Sequence, residues 1–151
     1  MAIKKDLIIS AVKTRLATIT TDNGYNTNAG NNVFEGRTAA IPDSQLPAIN
    51  ILEGTDTFQN VLENGAASIH ERMLELDFEI VTNGNNVTQD LRKVEADVIK
   101  AIGVDETFGS LAVQCIPGDV VPVYDKQQEK KLLGKVITIG VAYRITAWQN
   151  E

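Results

Sequence analysis

From Glu71 to Val81 the chain reads E-R-M-L-E-L-D-F-E-I-V, and apolar and acidic residues alternate along it. Leu74, Leu76, Phe78 and Ile80 fall on one side. Glu71, Glu75, Asp77 and Glu79 fall on the other, with Met73 the one apolar residue among them. A period of two marks a β-strand with one buried face. A slip of one residue would turn the carboxylates into the core, so the pairing of this strand is strongly specified. The fold must therefore give this stretch a core on one side and water, or a water-filled lumen, on the other. A long central strand with helices on its apolar side meets that demand.

The rest of the chain supplies suitable partners. Residues 2–19 carry apolar residues at helical spacing: Ile3, Leu7 and Ala11, then Ile8, Val12, Leu16 and Ile19. A second and clearer helix follows the turn Asn83-Gly84-Asn85-Asn86. Thr88 is its expected N-cap, Asp90 stands in the first turn, and Leu91, Val94, Val98, Ala101 and Ile102 form its stripe. Gly103 is the expected left-handed residue at its end. Strands are expected at 33–35, at 48–53 ending on Gly54, at 111–116, at 120–124 with Pro122 confining it to an edge, and at 135–148. In the last, Ile137, Ile139, Val141, Tyr143 and Ile145 share a face, and antiparallel pairing with the acidic strand is expected. Thr57–Leu62 reads as a short helix, and Asn64-Gly65 and Pro117-Gly118-Asp119 read as turns. The fold class is α+β: a mostly antiparallel or mixed sheet with two main helices on one face, in a single domain over 1–151. Residues 20–46, rich in Asn, Gly and Thr, form a long loop or extended arm.

Charge narrows the function classes. The net charge is −6, which disfavours a large phosphate-binding surface. The single cysteine, Cys115, cannot form an internal disulfide, and charges at Asp6 and Lys13 interrupt the N-terminal apolar run. Together these point to a protein made in a cytoplasm, with no membrane among its partners.

Chemistry is sparse. The soft metal ligands are His70 and Cys115, far apart in sequence, so neither a metal site nor a Cys–His pair is expected. Cys115 reads as an inert core residue and His70 as a solvent-facing or edge residue. The glycines fit no phosphate-binding loop, and no G-x-S-x-G elbow is present. Glu75, Asp77 and Glu79 lie roughly 6.5–7 Å apart at alternate strand positions. Glycosidase carboxylates can have such a spacing, but their sites are rich in aromatics, and only 5% of this chain is aromatic. The reading is no catalytic residue, no cofactor and no metal.

The chain resembles the tail terminators, or tail-completion proteins, of bacteriophages and prophages. The resemblance spans most of its length. It is carried by an N-terminal helix leading into T-x-x-N-G-Y-N-T-N-A-G (Thr20 to Gly30), by V-F-E-G-R (Val33 to Arg37) and by L-P-A-I-N-I (Leu46 to Ile51). The acidic-faced strand, a helix, and a closing strand with V-x-Y-R-I (Val141 to Ile145) complete it. The resemblance implies a non-enzymatic virion protein: a hexameric ring at the head-proximal end of the tail tube, touching the tube protein and the head–tail connector or neck. DNA would pass through without specific binding; if the acidic strand lines that ring, Glu71, Glu75, Asp77 and Glu79 face the lumen. Rival readings are a connector or neck subunit and, from a different class, a small cytoplasmic enzyme or ligand-binding module that uses the acidic face. A regulatory binding module is a further one.

Overall fold

The computed structural model describes residues 3–62, 68–127 and 131–149. The alternating stretch is the middle strand, β3 (Ile69–Val81), of a five-stranded sheet. Its neighbours are β2 (Ala48–Val61) and β5 (Leu132–Thr146), both antiparallel to it. β1 (Val33–Glu35) adds a short parallel edge to β2, and β4 (Gln114–Tyr124) forms the other edge, antiparallel to β5. The order is β1-β2-β3-β5-β4. One parallel pair among antiparallel ones makes the sheet mixed.

The register places like with like. Phe78 lies between Ile51 and Ile137, and Leu76 lies beside Ile139. Leu74, Leu76, Phe78 and Ile80 are fully buried, as the alternation requires. Helices α1 (Lys4–Leu16) and α2 (Val87–Gly103) cover this face. From α1 come Ile8, Ile9, Val12 and Leu16; from α2 come Leu91, Val94, Val98, Ala101 and Ile102; all join the same core. Each of these side chains except the smaller Ala101 stabilises the fold by roughly 1.5–3 kcal/mol relative to exposure.

Several local expectations are corrected. α1 is shorter than residues 2–19, and its buried stripe runs through Ile8, Val12 and Leu16, while Ile3 and Leu7 stay exposed. The N-cap of α2 is Asn86, not Thr88: its Oδ1 accepts from the Gln89 amide at 3.2 Å. Asn caps at least as well as Thr, so the helix starts two residues earlier than expected. Gly103 is the last residue of α2 and is not left-handed. The positive-φ positions come later, at Phe108, Gly109 and Ser110. There the Asp105 carboxylate gathers the Thr107 hydroxyl at 2.7 Å and the Thr107 and Gly109 amides at 2.9 Å each. Those bonds, the Thr107 hydroxyl first, lower the Asp105 pKa to about 2.

The strands are also longer than their sequence suggests. β2 does not end at Gly54 but shifts register between Glu53 and Asp56 and continues to Val61, so 57–61 is strand rather than helix. A Cβ on Gly54 would sit 3.1 Å from the Glu75 carbonyl oxygen, a tight contact that a residue without one avoids. β4 begins at Gln114 rather than Leu111, and Pro117-Gly118-Asp119 is a register shift within it rather than a turn. Pro122 does lie on an edge strand. The turn expected at Asn64-Gly65 lies outside the described residues.

Residues 20–46 lie against the body as a loop rather than reaching away from it. The buried Asp97 of α2 holds them: its carboxylate accepts from the Asn26 amide at 2.9 Å, the Thr27 amide at 2.8 Å and the Thr27 hydroxyl at 2.7 Å. Ala29 is fully buried, and Gly30 packs so tightly on Ile19 that a Cβ would lie 2.6 Å from its carbonyl oxygen.

Candidate functional site

With both helices on one face, the opposite face of the sheet carries no helix, and the odd-numbered residues of β3 stand on it; it is exposed at Glu75 but covered at Asn50 and Ala142, which are buried. The structure therefore brings Glu71, Glu75, Asp77 and Glu79 into one row, as the alternation requires. Their surroundings differ. Glu71 pairs with Arg144 of β5 at 3.1 Å. Asp77 accepts from the Thr138 hydroxyl at 2.7 Å. Glu79 accepts from the Asn50 side-chain amide at 3.0 Å, and Asn50 also bonds the amide and carbonyl of Arg37. Glu75 is exposed and has no such partner among the described residues. Met73 interrupts the row, and its thioether packs over Gly140, where a Cβ would lie 2.8 Å from the sulfur.

The row is polar, extended and held in register by the sheet, and its carboxylates line none of the concavities formed by α2, β4 and β5 or by Phe58, His70 and Trp148. An apolar concavity of about 240 Å³ lies on the other face, between α2 and strands β4 and β5. It is lined by Val98, Ile99, Ile102, Cys115, Pro117, Val120, Ile137 and Ile139, with Glu106 the charged residue in its wall. Cys115 is buried there as expected, and burial pushes its thiol up to about 11. His70 is not near it. In the register His70 lies beside Ile145, whereas Cys115 lies beside Val141, one strand further across and four residues along β5.

A second polar cluster gives no signal in the sequence, because its members are dispersed over positions 5, 56, 72 and 143. Asp56 sits on the helix-bearing face beyond the bulge in β2. It accepts from the Tyr143 hydroxyl at 2.5 Å and from Arg72 Nε at 2.9 Å, and pairs with Lys5 of α1 at 3.0 Å. Burial alone would raise the Asp56 pKa, but the hydrogen bonds from Tyr143, Lys5 and Arg72 outweigh it and hold the carboxyl below its ordinary value. Burial, and then the neighbouring carboxylate, push the Tyr143 phenol well above its ordinary value. The cluster is a polar lock between α1 and three strands, and each member is satisfied.

Past this lock the sheet outruns the helices. On the same face, Phe58, Val61, His70 and Trp148 form a partly exposed patch. The His70 ring lies edge-on between Phe58 at 5.3 Å and Trp148 at 5.5 Å. His70 is thus half-buried near one end of the central strand, between two aromatic rings, rather than solvent-facing or on an edge.

Among the described residues, no three His, Cys, Asp or Glu side chains are grouped to hold a metal ion, and no helix is long and apolar enough to cross a membrane. No protein-family model matches the chain, and no curated protein matches it at a significant level.

Proposed function

We propose that the protein is a structural subunit of a phage or prophage tail, of the terminator kind. It would close the head-proximal end of the tail tube as a hexameric ring and present a docking face to the neck. The observation that carries this reading is the helix-free sheet face with its acidic row. A sheet with helices on one side and carboxylates on the other is suited to walling a channel through which DNA passes without adhering. Repulsion from the wall is screened over about 8–10 Å at physiological salt, so it acts on DNA close to the surface. Arg144 offsets the charge of Glu71, which leaves Glu75, Asp77 and Glu79 as the effective part of the row.

The acidic face and the apolar concavity lie on opposite sides of the sheet. An enzyme or binding module using the acidic face needs polar groups converging on a pocket, so this separation favours the structural reading. The test is a phage carrying Glu75→Gln, Asp77→Asn and Glu79→Gln together. Particles should assemble, and DNA ejection should slow or stall. Assembled particles that eject at the normal rate would remove the lumen assignment.

A further inference from the structure

We propose that Asn83 is a site of spontaneous covalent modification: its side chain closes onto the backbone nitrogen of Gly84, loses ammonia and ends as aspartate or isoaspartate. Glycine follows asparagine at 23–24, 64–65 and 83–84. A glycine has no side chain to keep its amide nitrogen away from the side-chain carbonyl carbon before it, so such pairs close this ring most readily. The pair at 64–65 lies outside the described residues. The other two are both exposed, so exposure does not separate them. Hydrogen bonding does.

Asn23-Gly24 is guarded. Asn23 ends a short 3-10 turn (Thr21–Asn23), and its side-chain nitrogen donates to the Thr18 carbonyl at 2.9 Å. The Gly24 amide, the nucleophile in such a step, donates to the Thr21 carbonyl at 3.1 Å. Lys100 of α2 holds the Gly24 carbonyl at 3.0 Å. Asn23 can react only after both its side chain and the following amide let go. Asn83-Gly84 is open by comparison. The Gly84 amide has no hydrogen-bond acceptor among the described residues. The Asn83 side chain makes a single bond, from its nitrogen to the Asp43 carbonyl, and at 3.3 Å it is longer than a usual N–H···O bond. Even a Cβ on Gly84 would meet only Asp90 Oδ2, at an ordinary 3.5 Å, so the surroundings leave room for the ring.

The reaction needs only water. The Gly84 nitrogen gives its proton to solvent, and its electron pair attacks Asn83 Cγ. The Cγ–Nδ2 bond breaks, and the departing nitrogen takes up a proton and leaves as ammonia. Water then opens the imide at either carbonyl, giving aspartate, or isoaspartate with the main chain rerouted through the side-chain carbons. One water enters, one ammonia leaves, and nothing is oxidised. The product alters the turn between β3 and α2. A carboxylate cannot donate, so the tie to the Asp43 carbonyl is lost, and the new charge arrives at a turn already flanked by Asp43 and Asp90. None of this depends on the terminator reading.

The test is incubation of the full chain in mildly alkaline buffer, with peptide mass spectrometry at intervals. Acid should accumulate at Asn83, as aspartate and isoaspartate together, about tenfold faster than at Asn23. Tenfold is the factor that one further hydrogen bond to break, about 1.4 kcal/mol, places on a rate. In guanidinium chloride the two sites should convert at similar rates, because the guard on Asn23 is then gone. Asn83→Gln, whose longer side chain cannot close the same ring, should give no acid at that position on the same timescale. Equal rates at Asn83 and Asn23 in the native protein would overturn the proposal, and so would a difference that persists unchanged in the denaturant. Asn83→Asp serves as a stable stand-in for the product. It should speed amide exchange at Leu46, whose amide donates to the same Asp43 carbonyl at 3.3 Å; unchanged exchange there would overturn the loss of the tie.

Discussion

The Tyr143 hydroxyl donates to Asp56 Oδ2 across the width of β3, so a single hydrogen bond joins β5 to β2. Tyr143 is fully buried. Tyr143→Phe should cost about 1.5–3 kcal/mol, the worth of a bond to a charged group. Asp56→Ala should cost more, roughly 3–5 kcal/mol, because it strands the phenol and leaves Lys5 and Arg72 without their shared carboxylate. Chemical denaturation of both single variants and the double one should show strong coupling.

The same cluster sets a pH dependence. Asp56 is held below its ordinary carboxylate value in the folded protein, so the unfolded chain takes up its proton first as pH falls. Its contribution is therefore complete above the unfolded value, about 3.9, and is lost as pH drops through the lower folded value. The stability gap between wild type and Asp56→Asn should be constant from pH 7 to about 5 and narrow below that. Denaturation midpoints at a series of pH values check this.

Asp97 is the clasp on residues 26–27. Asp97→Ala removes the acceptor for three donors, two of them backbone amides. A cost of about 3 kcal/mol is expected. Amide exchange should rise at Asn26 and Thr27 well before it rises in β3.

The two faces of β3 should respond in opposite ways. Phe78→Ala empties a fully buried position and should cost about 3–5 kcal/mol. Glu75→Gln, three residues away on the open face, should fall within about 0.5 kcal/mol of wild type. Thermal unfolding of the two variants gives the comparison.

Cys115 should react slowly. Burial raises its thiol to about 11, so little thiolate forms near pH 8. Alkylation of the native protein should lag far behind that of the denatured protein, and the rate should climb as pH approaches 11.

Much of this architecture is legible from periodicity. The alternation of β3 gives its length, its two faces and its central place, and the stripe from Leu91 to Ile102 gives α2. Val33–Glu35 is a strand as its residues suggest. What local pattern does not reveal are interruptions that tertiary pairing overrides. Gly54 and Gly118 look like punctuation, yet both sit inside strands, close to a neighbouring backbone: a Cβ on Gly118 would lie 2.7 Å from Thr138 O, too close to be accommodated, and one on Gly54 would lie 3.1 Å from Glu75 O, a tight contact. The Asp56 lock was invisible because its four members come from distant positions and meet only once β2, β3, β5 and α1 are assembled. The acidic row, by contrast, lies within one strand and could be read directly.

The most direct test of the terminator reading is electron microscopy of lysates from a phage or prophage that lacks this gene. Over-long or unfinished tail tubes beside filled, tailless heads are the expected result. Tails of normal length that fail only to attach would place the subunit in the connector instead, and normal infectious particles would contradict a structural role in the tail altogether.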